Sequence, residues 1–310
     1  MQGLTIAVIG VGSFGQHHVR HLSAHPSVSS VIVIDNDAAR ARSVAAQHGA
    51  SVDDRFDPSA VDAVVICTPT ESHFTLAMAA LTAGCAAFVE KPLAASVDEA
   101  DRLITAASVT GALLQVGHIE RFSPVVRALQ GATGSAIHIA ATRHNKPRPV
   151  PPSADVVLDL MIHDIDLAIT LAGSGVTRVE PLAFAGAANW SEAASARLWF
   201  RNGVIADLSA SRLAPTTMRT LTVHDANAVH HADLVERTLT TLPFGTDMPA
   251  HFAPQPTDHL AAELDAFIRA IATAGPAMVD GHAGRSALAV AEQVRSVLMA
   301  NASPPLQLTA

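Results

Sequence analysis

The chain has 310 residues, 49% of them hydrophobic and 15% charged, which suits two folded domains and excludes a disordered protein. A net charge of −8 argues against a broad nucleic-acid or anionic-membrane surface. The two cysteines, Cys67 and Cys85, form no CxxC pair, so the expectation is buried thiols in a reduced cytoplasmic protein. Met1-Gln2-Gly3 lacks the basic region of a secretion signal. The longest uncharged stretch, 74–89, is shorter than the roughly 20 residues a spanning helix needs, and Gly84 splits it.

Taken in order, short apolar runs alternate with helical patterns. Leu4–Gly10, Val31–Asp35, Asp62–Cys67, Ala86–Glu90 and Ala112–Gly117 read as strands. Helices are expected at Phe14–His25, Ala38–His48, Ser72–Ala83 and Val97–Ser108. Continuous apolar strands between helices predict an α/β Rossmann domain with a parallel, doubly wound sheet over residues 1–118. Ser135–Arg143, Arg197–Leu208, Thr220–His224 and Val235–Thr240 instead alternate like half-buried antiparallel strands. Helical patterns lie at Val156–Leu171, Asp258–Ala274 and Gly284–Ala300, and a proline-rich loop, Lys146–Pro152, is expected to be exposed. The expectation for 119–310 is therefore an α+β domain with an open, mostly antiparallel sheet that binds substrate and mediates oligomerisation.

Gly10-Val11-Gly12-Ser13-Phe14-Gly15 follows the first strand and opens a helix. Glycines there allow a tight turn and close approach of a pyrophosphate to the helix N-terminus. Asp35 follows 20 residues after Gly15 and ends the second strand, where a carboxylate bonds ribose hydroxyls and repels a 2′-phosphate. NAD is thus the expected cofactor. Thr68-Pro69-Thr70 lies at the same carboxyl edge of the sheet, with His73 just beyond, and completes the expected cofactor set with Glu90 and Lys91.

Glu90-Lys91-Pro92 ends the fourth strand, and Asp159 and His163 stand four apart in a helical pattern that would put them on one face. A carboxylate beside histidine raises the imidazole pKa and orients the ring, and histidine suits removal of a hydroxyl proton at neutral pH. The Lys91 charge would stabilise a developing alkoxide. Asp164 and Asp166 flank His163, but residues so spaced on one helix do not all face one ion, so no metal is expected. Tyrosine is absent, which excludes the short-chain dehydrogenases with their Tyr-x-x-x-Lys pair.

In this order the glycine motif, Glu90-Lys91-Pro92 and Asp159-x-x-x-His163 resemble the Gfo/Idh/MocA oxidoreductases over nearly the whole chain. The resemblance implies that Lys91 binds the reacting hydroxyl, His163 accepts its proton and Asp159 binds substrate or positions His163. It also implies a cis bond before Pro92, and a homodimer or homotetramer built on the open sheet. Gly117-His118-Ile119-Glu120-Arg121-Phe122 and 156–166 look like a nucleotide-sugar subgroup that oxidises the 3-hydroxyl of a UDP-N-acetylhexosamine for surface-sugar synthesis. A diphosphate needs cationic clamps, and Arg121 and Arg143 are the first candidates, with Arg148 and Arg212 behind them. His118 joins Lys91, Asp159 and His163 in the expected substrate set. An inositol or simple-sugar dehydrogenase and a non-catalytic dinucleotide sensor are the alternatives.

Overall fold

The computed structural model describes residues 3–149, 154–183 and 191–300. It divides into two units: residues to Ile119 together with Asp258–Ser286, and Glu120–Thr257 together with the residues from Ala287 onward.

The first unit holds strands β1 (Leu4–Ile9), β2 (Val28–Ile34), β3 (Ser51–Val52), β4 (Ala63–Ile66), β5 (Ala86–Glu90) and β6 (Leu114–Gly117) in the order β3-β2-β1-β4-β5-β6. All neighbours are parallel; Val8 of β1 stands opposite Val33 on one side and Val65 on the other. Helices α1 (Gly15–Ser23), α2 (Ala38–His48), α3 (His73–Thr82) and α4 (Val97–Thr110) connect these strands. Every residue of β4 is buried, as a strand covered on both faces requires. The strand order reverses between β1 and β4, so the loops at their carboxyl ends open a crevice.

Helix α7 (His259–Thr273) belongs to this unit, as does Ile119, which differs from the expectation that residues 119–310 form the second domain. Asp258 caps it by accepting the N–H groups of Leu260 and Ala261. Its apolar stripe, Leu260, Leu264, Phe267 and Ile268, packs into the core that holds Ile6, Val8 and Phe88. Phe267 meets Phe88 edge-on at 5.7 Å between ring centroids. Periodicity alone shows an amphipathic stripe but not which sheet it covers.

The second unit holds α5 (Pro124–Ala132), β7 (His138–His144), a π-helical turn (Val157–Met161), α6 (Ile162–Ala172), β8 (Val176–Ala183), β9 (Ala193–Phe200), β10 (Ile205–Ser211), β11 (Met218–His224), β12 (Ala228–Asp233), β13 (Thr238–Pro243) and β14 (Ala250–Phe252). Its eight strands run β14-β13-β12-β11-β7-β10-β9-β8 and are antiparallel except for the parallel pair β7 and β10. Inner residues Ile139, Leu198, Leu208 and Leu221 share a core with Val157, Met161 and Ile165, and with Val294 and Leu298 of α8 (Gly281–Ala300). Burial alternates strictly along β9 and β10, so one sheet face is packed and the other is open.

The single strand expected over Arg197–Leu208 is a hairpin that turns at 201–204, with Gly203 at φ +88°. Val235–Thr240 likewise contains a turn before β13, with Arg237 at φ +59°. Lys146–Arg148 is an exposed loop; 150–152 of the expected loop lie outside the described residues. Among the described residues no helix is long and apolar enough to cross a membrane.

Candidate active site

The glycine motif forms the turn between β1 and α1. Gly10 has φ +84°, and a Cβ there would meet the Cys67 carbonyl and Thr68 Cγ2 at 2.9 Å. A Cβ on Gly15 would lie 1.9 Å from the Gly10 carbonyl oxygen. These two glycines are thus required by the packing of the turn. Gly12 is different, because nothing lies within 4 Å of where its Cβ would be. Its free space fits the approach of a pyrophosphate rather than any need of the fold. Phe14 at the cap position gives α1 no side-chain acceptor, although the Gln16 and His17 N–H groups already reach the Gly12 and Phe14 carbonyls.

A cavity of about 930 Å³ opens over this turn. Gly10, Gly12, Ser13, Phe14, Asp35, Thr68 and Pro69 line it, as do Arg40 and Glu71, which the motif reading missed. Asp35 accepts the N–H groups of Val11 and Asp37, both at 2.8 Å. Each carboxylate oxygen keeps a lone pair for a ribose hydroxyl. Thr70 opens a short 3₁₀ turn in which Ser72 donates to Thr68 Oγ1 at 2.7 Å. A second cavity, about 520 Å³, lies at the amino ends of β5 and β6; no expected site residue lines it.

His73 is buried, and its two ring nitrogens face the Thr68 and Pro92 carbonyl oxygens, each at 2.9 Å. It therefore ties the cofactor loop to the loop carrying Lys91, a structural task rather than direct cofactor contact. The Lys91–Pro92 bond is cis, as the resemblance implied. Glu90 turns inward: its Oε1 lies 2.8 Å from His18 Nε2, and its carboxylate packs on Gly117. His18, Cys67 and Glu90 bring one donor atom each within 4.8 Å of one another. Burial, and then the charge of Glu90, push the Cys67 thiol and the Glu263 carboxyl of α7 well above their usual ranges. Sequence reasoning missed His18 and Glu263. The His three residues past Gly15 was a usable signal, whereas nothing local marks Glu263.

In the second unit Asp159 sits in the π-helical turn and His163 in the first turn of α6. The regular helix expected over both is interrupted there, a feature that often accompanies functional residues. Both side chains are half-buried. Asp155 starts the turn by accepting the N–H groups of Val157 and Leu158, and its other oxygen accepts from Arg295 at 2.7 Å. Arg212, 5% exposed, donates to the Ala154 and Ser191 carbonyls and lies 3.5 Å from Asp159 Oδ2. It also donates to Glu192 Oε1 at 3.1 Å, so Arg212 is engaged on two carboxylates and two carbonyls and is not a free clamp.

Arg121 and Arg143, expected to grip phosphate, are already engaged. Arg121 makes a bidentate pair with Asp166 at 2.6 and 2.7 Å. Arg143, 2% exposed, binds Asp164 at 2.8 Å and Glu120 at 2.7 Å. Burial lowers the Arg143 guanidinium, but the two carboxylates outweigh it and hold the group above the usual arginine range. Burial pushes Asp164 up against the pull of Arg143. The reason for the correction is that acids buried on α6 require cations, and these arginines supply them. Asp166 and Asp164 are thus each engaged by an arginine, Arg121 and Arg143 respectively. His118, at 1% exposure, is buried where β6 ends.

Comparison with known proteins agrees with this construction. Residues 4–118 match the model of an oxidoreductase family with an NAD-binding Rossmann fold, and 127–229 match a GFO/IDH/MocA C-terminal domain. The chain is 34% identical over 301 residues to a UDP-N-acetylglucosamine 3-dehydrogenase of Acidithiobacillus ferrooxidans, covering 93% of this chain and 95% of that one. A solved structure of that enzyme superposes with a TM-score of 0.91 at 33% identity, covering 98% and 100% of the two chains. An inositol 2-dehydrogenase of Rhizobium meliloti is 30% identical, covering 94% of this chain and 96% of its own. A turn shaped for a pyrophosphate, the motifs in their order and these matches lead to one assignment: the chain belongs to the Gfo/Idh/MocA family of NAD-binding oxidoreductases.

Proposed function

We propose that the chain is an NAD-dependent dehydrogenase that oxidises the 3-hydroxyl of a UDP-N-acetylhexosamine. The observation that carries this reading is the near end-to-end match to the Acidithiobacillus enzyme, whose name states that activity. The dinucleotide, when bound, supplies a hydride acceptor. Lys91 binds the reacting hydroxyl and stabilises negative charge on its oxygen as the C–H bond breaks. His163 takes the hydroxyl proton, so the carbinol leaves as a ketone with one hydride and one proton removed. Asp159, steadied by Arg212, binds substrate or aligns the His163 ring. The protein is read as a cytoplasmic homo-oligomer acting on a small molecule, without nucleic-acid or membrane partners.

The test is NADH appearance with a panel of UDP-sugars and free polyols. Lys91→Ala and His163→Ala should each lower kcat about 10²–10⁴-fold, with the double variant little worse than either single one. Fully multiplicative losses would mean that the two groups do not serve one step. The second reading, a dehydrogenase of inositol or a simple sugar, draws on the Rhizobium relative. Turnover of a polyol with none of the UDP-sugars would favour it. A sensor without catalysis would survive only if Lys91→Ala left biological activity intact.

A further inference from the structure

In the second unit, strands β7 and β11 pair so that Arg143 stands directly opposite Arg219. Like charges in that position repel, so the pair needs an anionic partner. Two carboxylates are near, and both are largely consumed by Arg143. Asp164 takes three of its contacts at 2.8–3.1 Å, and Glu120 Oε1 takes the fourth at 2.7 Å. Arg219 reaches the same Glu120 oxygen only at 3.9 Å, outside hydrogen-bond range. Among the described residues its Nε is buried with no hydrogen-bond partner. Its side chain is nevertheless 40% exposed, against 3% for Arg143. Arg143 is fully paired, whereas Arg219 leaves its buried Nε without a partner among the described residues.

The surroundings add positive charge. Lys146 and Arg148 are exposed on the loop that leaves β7. Arg148 is near enough to act electrostatically on Arg219, whose guanidinium burial and then Arg143 hold below the usual arginine range. A chain of net charge −8 thus keeps a cationic corner at one end of a sheet. A planar guanidinium donates two parallel N–H groups, the geometry that matches phosphate oxygens.

We propose that Arg219, backed by Arg143 and joined by Arg148, forms an anion subsite that receives the diphosphate of a nucleotide-sugar substrate. This rests on the nucleotide-sugar reading of the function and moves direct contact with the diphosphate from Arg121 and Arg143 to Arg219 and Arg148, with Arg143 only a charge behind them. A neutral polyol has no group for such a subsite.

The experiment measures inhibition by UDP alone, with the NAD-loaded enzyme, for wild type, Arg219→Gln, Arg148→Gln and Arg219→Lys. Arg219→Gln should raise the UDP inhibition constant and the KM for the UDP-sugar at least about tenfold, with kcat changed less. Arg219→Lys should recover part of the loss. Arg148→Gln lies on an exposed loop and cannot act by unfolding, so its smaller rise in the UDP constant checks the site independently. If UDP-sugars are turned over but UDP inhibits Arg219→Gln and Arg148→Gln as strongly as wild type, the subsite is wrong and the functional reading stands. If wild type turns over only free polyols and ignores UDP, the functional reading fails and the subsite with it.

Discussion

Two buried acids respond to pH in opposite directions. Asp225, 4% exposed, accepts the N–H groups of Gly134, Asn227 and Ala228 and faces His230 Nε2 at 3.1 Å. The backbone donors, Gly134 first, hold its carboxyl far below the usual carboxylate range. The stability it contributes is present above the unfolded pKa near 4 and is lost as pH falls through the folded value. Glu263 has neither side-chain oxygen partnered among the described residues, and its folded pKa is raised. Its penalty is absent below the unfolded value near 4.3 and grows as pH rises toward the folded one. Asp225→Asn should therefore cost about 1–3 kcal/mol at neutral pH and flatten the acid limb of the urea midpoint. Glu263→Gln should be nearly silent in acid and stabilising at mildly alkaline pH. Equal shifts at all pH values would contradict both accounts.

At the scale of elements, α7 makes a distinct claim, because a segment remote in sequence covers the nucleotide-binding sheet. Phe267→Ala removes a side chain with 0% exposure and should destabilise by about 3–5 kcal/mol. Affinity for NAD should weaken with it, although residue 267 lies far outside 4–118. Unchanged NAD binding, measured by fluorescence titration alongside thermal unfolding, would separate α7 from the first unit. Most regular elements were legible before the fold was known: α2 and β5 have the expected bounds, because local periodicity encodes them. The turn at 234–237 was not, since Arg237 adopts positive φ without the glycine that normally announces it, whereas the turn at 201–204 was missed although Asn202-Gly203 marks it. Helix α5 and strands β8, β12 and β14 also escaped; β12 breaks its apolar alternation with His230 and His231, and the exposed edge strand β14 buries none of its three residues. The glycine turn between β1 and α1 was readable at Gly10 and Gly15, because backbone packing leaves no room for a side chain there. The engagement of Arg121 and Arg143 was not, because an arginine's partner is set by tertiary contacts.

Across the whole molecule, the sequence predicted the two fold types but not how the chain divides between them. The open face of the eight-stranded sheet presents alternate side chains such as Thr142, Arg197, Trp199 and Ser209, all half-buried. We expect that face to mediate a dimer or tetramer, so light scattering at micromolar concentration should report a mass at least twice that of the 32.1 kDa chain. A monomer would remove this expectation without touching the catalytic reading. The return of α7 also has a consequence for biosynthesis. While the ribosome adds Glu120–Thr257, the nucleotide-binding sheet has been made but its last covering layer has not. The nascent chain thus leaves the apolar surface around Phe88 without its Phe267 cover until α7 emerges.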